Sequence, residues 1–361
     1  TPARKGRLSS SDGRHMAHAL ALGRRGLGRV APWPAVGCVI VSDGQIVGRG
    51  TSDLATMRHA EIVALVLAGA RAKGATVYVT FEPCSHQGRT PPCADALIRA
   101  SVARVVVATG DPNPLVAGQG LKRLQSAGIE VVTGVGETDA LRDHAGFLSV
   151  QHRNRPHITL KLATTLDGRI ATASGESQWI TGAEARRKAH AMRANHDCVM
   201  VGGGTARADN PSLTVRDADR SARPVRLVAS RRLSLPWPNK LAETMAHAPV
   251  WIAHGQGDAA PDNINRWTQA GAKLLAVPAG GGHLEMRPLF NRLAQEGLTR
   301  VFCEGGGALA ASLLGAGLVD DLIVFSAGKL IGAAGRPGIG ALGISNLAHA
   351  PAFDLVEVAR I

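Results

Sequence analysis

Pro83-Cys84-Ser-His-Gln-Gly-Arg-Thr-Pro-Pro-Cys93, read together with His59-Ala60-Glu61 upstream, decides how the first half of this chain folds. His59-Ala60-Glu61 opens an apolar-periodic helix over 60–71, and Glu82-Pro83-Cys84-Ser85 follows a strand over 76–80. One imidazole and two thiolates meeting at a point give three soft ligands for Zn²⁺ and leave a fourth position for water, the ligand count of a catalytic site. Such a metal lowers the pKa of bound water toward ~7. Cys84 and Cys93 each read as lying near a helix start, where the positive end of the peptide dipoles favours thiolate. Between the cysteines, His86 and Arg89 suit a phosphorylated substrate as well as they suit a solvated loop.

Outward from that segment, helix and strand alternate from about Arg14 to Phe147. A helix is expected over 16–22, a buried strand over 36–41, strands over 105–108 and 129–132, and helices over 93–100 and 118–127. Val150-Gln-His-Arg-Asn-Arg-Pro156 breaks the periodicity with polar and basic residues and a proline, and reads as a linker. A second alternation follows, with strands over 158–163, 198–201, 225–228, 250–253, 273–277, 300–303 and 322–325. No internal repeat is visible, so two different α/β domains are expected, at 14–149 and 156–361, in agreement with ~150 residues per domain in a chain of 361.

Composition narrows the function. Apolar residues make up 45% and charged residues 19%, which excludes a disordered or fibrous chain. The formal charge of +13 points to anionic ligands, but it is divided evenly between the halves, and the aromatic content of 3% leaves little for base stacking. No run approaches the ~18 apolar residues of a membrane span, and the start of the chain does not read as a signal peptide. Residues 1–13, with Arg4, Lys5 and Arg7 beside Ser9, Ser10 and Ser11, read as a short disordered lead, with the remnant of a targeting peptide as the less favoured alternative. Five scattered cysteines argue for a reducing, cytoplasmic setting with metal-binding or buried thiols.

In the second half, Val201-Gly-Gly-Gly-Thr205 and Glu304-Gly-Gly-Gly307 each leave a strand, the latter entering a helix over 308–314. Glycines in such turns let backbone N–H groups approach a pyrophosphate at a helix N-terminus. Neither has the G-x-G-x-x-G spacing, so tight strand-to-helix turns explain them equally well.

His-x-Glu followed by Pro-Cys is the signature of zinc nucleobase deaminases, although eight residues rather than two separate the cysteines here. With Asp111-Pro-Asn-Pro114 and Val116-Ala-Gly118-Gln-Gly120, the first half closely resembles the bifunctional riboflavin-biosynthesis deaminase/reductases. The resemblance continues through Lys161-Leu-Ala163, Leu166-Asp-Gly168, Ser174-Gly-Glu-Ser-Gln-Trp-Ile-Thr181, Asp209-Asn-Pro211, Leu213-Thr-Val-Arg216 and Glu304-Gly-Gly306. It implies an N-terminal cytidine-deaminase-like α/β/α domain and a C-terminal dihydrofolate-reductase-like α/β domain. The first would remove the 2-amino group of 2,5-diamino-6-(5-phosphoribosylamino)pyrimidin-4-one with zinc; the second would reduce ribosyl to ribityl with NADPH.

Carried over residue by residue, the resemblance places zinc on His59, Cys84 and Cys93 with Glu61 catalytic. It places the dinucleotide on Ala163, Trp179, Thr205, Asp209, Ser230, Gly306, Gly307, Ala308, Leu309, Ala310, Ala311 and Ser312. Substrate contacts fall on Ser177, Arg193, Leu213, Arg216 and Glu304, and Lys161 and Glu304 match positions important for ribose reduction. Guanidinium forks at Arg193 and Arg216 suit a phosphate, and Arg231 and Arg232 beside Ser230 could read a 2′-phosphate. The expected partner is a small phosphorylated pyrimidine, in a homo-oligomer, with neither nucleic acid nor membrane. Three departures stand out: Pro32-Trp33-Pro34 where relatives carry Pro-Asn-Pro, Arg58 before His59 where proline is common, and His86-Gln87 where two histidines are often adjacent. If Trp33 occupies the substrate position of that Asn, Trp33→Asn raises deaminase kcat/KM roughly tenfold; if the loop has shifted, the indole packs on the surface. Two other readings stay open: a nucleic-acid (RNA) deaminase with an accessory nucleotide-binding domain, and a nucleotide-binding regulator with a degenerate deaminase half. Retention of His59, Glu61, Cys84 and Cys93 argues against the regulator.

Overall fold

The computed structural model describes residues 9–85, 91–111, 117–216 and 222–361. The chain forms two compact units, Thr1–Asn154 and Arg155–Ile361. The first comprises α1 (Asp12–Arg24), β1 (Gly37–Ser42), β2 (Gln45–Thr51), α2 (Ala60–Ala68), β3 (Thr76–Val79), α3 (Cys93–Arg99), β4 (Arg104–Val107), α4 (Gln119–Ser126), β5 (Glu130–Thr133), α5 (Glu137–Asp143) and α6 (Ala145–Arg153). Its sheet runs β2-β1-β3-β4-β5. β1 pairs antiparallel with β2 and β3, and β3, β4 and β5 are parallel.

β1 is apolar without alternation because both faces of the sheet are covered. Cys38, Ile40, Val77, Val79, Val105 and Val107 enter one core with Ala60, Ala64 and Leu97, while Val39, Val41, Tyr78, Val106 and Val132 enter the other with Met16, Ala19 and Leu20. Strand β2, to which the sequence reading gave no bounds, contains Gly48 and Gly50, and these carry α2. A methyl group at Gly48 would strike the Ala64 carbonyl oxygen, and one at Gly50 the Ala60 carbonyl oxygen. The helix that bears Glu61 thus lies directly on main chain.

Two expectations are corrected. The linker reading of 150–156 fails over its first half, because α6 continues to Arg153 and ends on Asn154 in the left-handed region at φ 53. Phe147 and Leu148 anchor the helix on the core, and its polar end is a solvated face. The lead also ends earlier than residue 13. Residues 1–8 lie outside the described part, but Ser9 already donates its N–H to Asp12 Oδ2 at 2.8 Å, at the start of α1.

Asp12 is 1% exposed and accepts from Arg104 Nη1 at 2.8 Å and Nη2 at 2.9 Å, and from the Tyr78 hydroxyl at 2.9 Å. The Arg104 guanidinium holds its carboxyl down to about 2, against the opposing effect of burial. A carboxylate depressed in the folded state contributes stability above its unfolded pKa of ~4, and that contribution is lost as pH falls toward ~2. Asp12→Asn should therefore lower unfolding free energy at neutral pH by about 2 kcal/mol or more, because the shift alone is worth that much and Arg104 is left uncompensated. Urea unfolding at pH 7 and at pH 2 checks this: the gap between wild type and variant should narrow in acid, and a constant gap would mean that the pair does not carry the effect.

The second unit comprises β6 (His157–Thr165), β7 (Arg169–Ala171), α7 (Ala183–Ala194), β8 (Cys198–Gly202), α8 (Gly203–Asp209), β9 (Val225–Ala229), α9 (Lys240–Glu243), β10 (Val250–Gly255), α10 (Pro261–Gln269), β11 (Lys273–Val277), β12 (Ala279–Gly280), β13 (His283–Leu284), α11 (Met286–Gln295), β14 (Arg300–Cys303), α12 (Gly307–Gly315), β15 (Asp321–Ala327) and β16 (Arg336–Pro337). Its main sheet, β11-β10-β9-β8-β14-β6-β15, is parallel throughout. The chain leaves β8 through α8 toward β9 on one side, and leaves β14 through α12 toward β15 on the other. A crevice at the carboxyl ends of β8 and β14 follows, the usual ligand position in an open parallel sheet. Both glycine turns lie there. Arg226, fully buried on β9, ties the neighbouring loops together by donating to the carbonyls of Ser212 at 3.0 Å, Thr244 at 2.9 Å and Ala248 at 2.6 Å.

Candidate active sites

In the first unit His59 is the N-cap of α2, with extended backbone at ψ 155, and Glu61 follows in the first turn at 3% exposure. Cys93 is the first residue of α3, and Cys84 lies in non-helical chain after β3. The expectation that Cys84 itself stands near a helix start is corrected in sequence but recovered in space. Its sulfur accepts the Cys93 backbone N–H at 3.3 Å, at the N-terminus of α3. His59 Nδ1 lies 3.2 Å from Cys93 Sγ and 3.6 Å from Cys84 Sγ, and the three donor atoms all fall within 4.8 Å of one another. Tetrahedral zinc, with bonds of ~2.0 Å to nitrogen and ~2.3 Å to sulfur, needs ligand atoms roughly 3.5 to 3.8 Å apart, so the group fits the metal with little rearrangement.

The two thiols divide their acidity. Cys84 is held well below the usual thiol range by a hydrogen bond from Cys93 and by His59, while Cys93 is pushed up by that same bond to Cys84 and by burial. A divalent cation would hold both sulfurs as thiolates, so its binding would release protons. Burial raises Glu61 to about 7, and the nearby Cys84 sulfur adds to the shift while His59 opposes it. A carboxyl tuned to neutrality can both accept and release a proton at physiological pH. His86 and Arg89, like Pro112, Asn113, Pro114 and Val116, lie outside the described residues. Arg58 is exposed, its backbone bridged to Asp53.

In the second unit the crevice is built from close backbone approaches. Gly306 donates its N–H to Thr205 Oγ1 at 2.8 Å, Gly202 donates to the Gly305 carbonyl at 3.1 Å, and a methyl at Gly203 would lie 3.0 Å from Ser230 Oγ. Thr205, Ser230 and the start of α12 are thereby brought together, and the first turn of α12 carries no acidic side chain. This bare helix start, floored by glycine, fits a dinucleotide pyrophosphate. Beside it, Arg193 grips Glu304 through both carboxylate oxygens, with Nη2 to Oε2 at 3.0 Å, and donates Nη1 to the Thr214 carbonyl at 2.7 Å. Burial pushes the Glu304 carboxyl up, but Arg193 and Lys161 outweigh it and hold the group below the usual range. Lys161 is lowered by burial and by Arg193, with Glu304 opposing.

The zinc-binding region of cytidine and deoxycytidylate deaminases matches residues 9–109, and the RibD C-terminal domain matches residues 156–361. The riboflavin biosynthesis protein RibD of Escherichia coli is 43% identical over 357 residues, which cover 96% of each chain. The chain belongs to the RibD family. That of Aquifex aeolicus is 40% identical, covering 93% of this chain and 92% of its own. Among solved structures, Acinetobacter baumannii RibD is 38% identical with a TM-score of 0.85, covering 97% of this chain and 96% of its own. A deaminase/reductase of Thermotoga maritima, whose substrates are named as diaminohydroxyphosphoribosylaminopyrimidine and 5-amino-6-(5-phosphoribosylamino)uracil, is 32% identical with a TM-score of 0.83, covering 96% and 94%. As a RibD, this chain is a bifunctional enzyme of riboflavin biosynthesis, a zinc-dependent deaminase joined to an NADPH-dependent reductase.

Within the RibD reductase domain, the remaining expected residues are placed unevenly. Ala163 lies on β6 opposite Phe325 of β15. Trp179 is 58% exposed, with the Arg186 guanidinium 4.4 Å from its ring centre and Lys329 Nζ donating to its carbonyl at 2.8 Å. Ser177 is half-buried and Asp209 closes α8 on its exposed side. Leu213 has φ 54 and its side chain is buried in the apolar core, so only its backbone is available to a ligand. Arg216 is exposed and donates its backbone N–H to His190 Nδ1 at 3.1 Å. Arg231 is engaged by Asp258 at 2.9 Å, which leaves the exposed Arg232 the better placed of the two for a 2′-phosphate. Sequence reasoning missed His190, one turn before Arg193 on α7, whose ring acts electrostatically on Glu304. The signal was the spacing of three that puts both side chains on one helix face.

Proposed function

We propose that deamination belongs to residues 14–149 and reduction to 156–361, with His59, Cys84 and Cys93 holding zinc and the glycine-floored crevice at β8 and β14 holding NADPH. The observation that carries the reading is the convergence of His59 Nδ1, Cys84 Sγ and Cys93 Sγ within 4.8 Å, beside a buried carboxyl. When bound, zinc supplies an activated water and NADPH a hydride. Glu61 takes a proton from the attacking water and returns it to the departing 2-amino group of the phosphoribosylated diaminopyrimidinone.

In the reductase unit the Lys161 ammonium, whose charge Glu304 favours, would donate a proton to the ribose ring oxygen as the bond between that oxygen and C1′ breaks, the hydride for C1′ being what the bound cofactor would supply. Arg193 holds Glu304 in place for this, and Arg216 supplies a cation for the substrate phosphate. Ala163, Trp179, Thr205, Asp209, Ser230 and residues 306–312 contact the dinucleotide, and Ser177, Arg193, Leu213 and Glu304 the substrate. The evenly divided charge and few aromatics favour a small phosphorylated pyrimidine over nucleic acid. The cysteines, free among the described residues, fit the cytoplasm. No helix among the described residues is long and apolar enough to cross a membrane. A homo-oligomer is supported by β15, which pairs with β6 at the end of the sheet, and by the exposed Phe353, Leu355, Val356 and Val358.

Metal analysis together with NADPH oxidation, each substrate supplied separately, tests the reading. One zinc per chain is expected, with ammonia released only from the diaminopyrimidinone and NADPH oxidised by its deaminated product. A zinc-free enzyme that deaminates at full rate would end the proposal for the first unit.

A further inference from the structure

Trp33 is a residue of the first unit that the reaction leaves unused. Its ring centre lies 5.4 Å from that of His59 with the planes at 79°, an edge-to-face contact on the ring that offers Nδ1 to the metal. The segment bearing the indole is fixed: Trp33 donates its N–H to the Val30 carbonyl at 2.9 Å, and the Pro34 carbonyl accepts from Ser52 Oγ at 2.9 Å. Ser52 is 7% exposed and its Oγ also accepts the Val36 N–H at 3.1 Å. The half-buried indole therefore packs against His59 rather than on the outer surface of the domain.

The His59 ring, by contrast, has few orienting contacts among the described residues. The His59 backbone is held as the N-cap, its carbonyl accepting the Ile62 and Val63 N–H groups at 3.1 and 3.2 Å, but the side chain makes no cap bond, and among the described residues the hydrogen-bond contacts of the ring run through Nδ1 to the two sulfurs. A metal-ligating histidine is normally fixed by a partner on its other nitrogen, and loss of such a partner typically weakens metal binding about 10- to 100-fold. We propose that the Trp33 indole performs this orienting role, flanking the His59 ring so that Nδ1 stays aimed at the point it shares with Cys84 and Cys93. Trp33 is thus a positioning residue for zinc. The inference rests on the ligand assignment proposed above.

Zinc transfer from the full-length holoenzyme to a chromogenic chelator reads the effect directly, for wild type, Trp33→Asn, Trp33→Leu, Trp33→Phe and His59→Ala. Trp33→Asn and Trp33→Leu should release zinc at about 10- to 100-fold lower chelator activity, whereas Trp33→Phe, which keeps an aromatic edge, should stay within about threefold of wild type. In deaminase assays, added zinc should restore kcat of the first two variants with KM unchanged. If Trp33→Leu, folded by circular dichroism, holds zinc as tightly as wild type, the inference is overturned. Trp33→Asn with retained zinc and raised kcat/KM would also overturn it and make the indole a substrate contact. Wild-type zinc retention by His59→Ala would instead overturn the ligand assignment and leave the role of Trp33 without a basis.

Discussion

Glu61→Gln should keep one zinc per chain and lower deamination by a factor on the order of 10² to 10⁴, the range for loss of a general acid/base. The amide fills the same volume in a site where Glu61 is 3% exposed, so packing of α2 on the sheet is preserved. It cannot accept a proton from water or release one to the amine. His59, Cys84 and Cys93 remain, and the metal with them, because Glu61 is not among the converging donors. Elemental analysis and ammonia release on the same sample separate the two effects. A variant with normal deamination would remove Glu61 from the mechanism, and one without zinc would make it a structural support of the metal.

The second large effect falls in the other unit. Lys161→Met should reduce NADPH oxidation by roughly 10² to 10⁴, as expected when a general acid is removed, and should leave ammonia release intact. Glu61→Gln supplies the converse: given the already deaminated substrate, it should oxidise NADPH at the wild-type rate. Burial and Arg193 already hold the Lys161 ammonium below the usual lysine range, so the wild-type reductase rate should fall at a lower pH on the alkaline side than an exposed lysine would dictate. Failure of Glu61→Gln to reduce that substrate, in folded protein that binds NADPH, would show the two chemistries to be coupled.

The convergence of His59, Cys84 and Cys93 was legible because metal chemistry needs particular residue types, and these three keep both type and order. What spacing could not show is that Cys84 reaches a helix start only through space, by way of the Cys93 N–H. The same limit applies to Arg193, whose fork reads as a phosphate clamp until Glu304, 111 positions away, is seen to occupy it. Strand positions along the chain followed from apolar runs, the order within each sheet did not, and the weakest runs escaped. β2 is thinned by Gly48 and Gly50, and the solvated end of α6 looks like a linker because its anchors, Phe147 and Leu148, lie one turn earlier. Trp33 was visible as an anomaly, but its neighbour was not.

The bare support beneath α2 has a consequence of its own for how this protein tolerates change. A helix seated on side chains can settle when one of them is trimmed or swapped; α2, seated on the main chain of Gly48 and Gly50, has no such give. The height of the Glu61 backbone above the sheet is set by carbonyl radii, so sequence drift elsewhere in the core is poorly transmitted to it. Library selection for deaminase activity should therefore find Gly48 and Gly50 nearly invariant, while Val66 and Leu67 on the exposed face of the same helix accept almost any helix former.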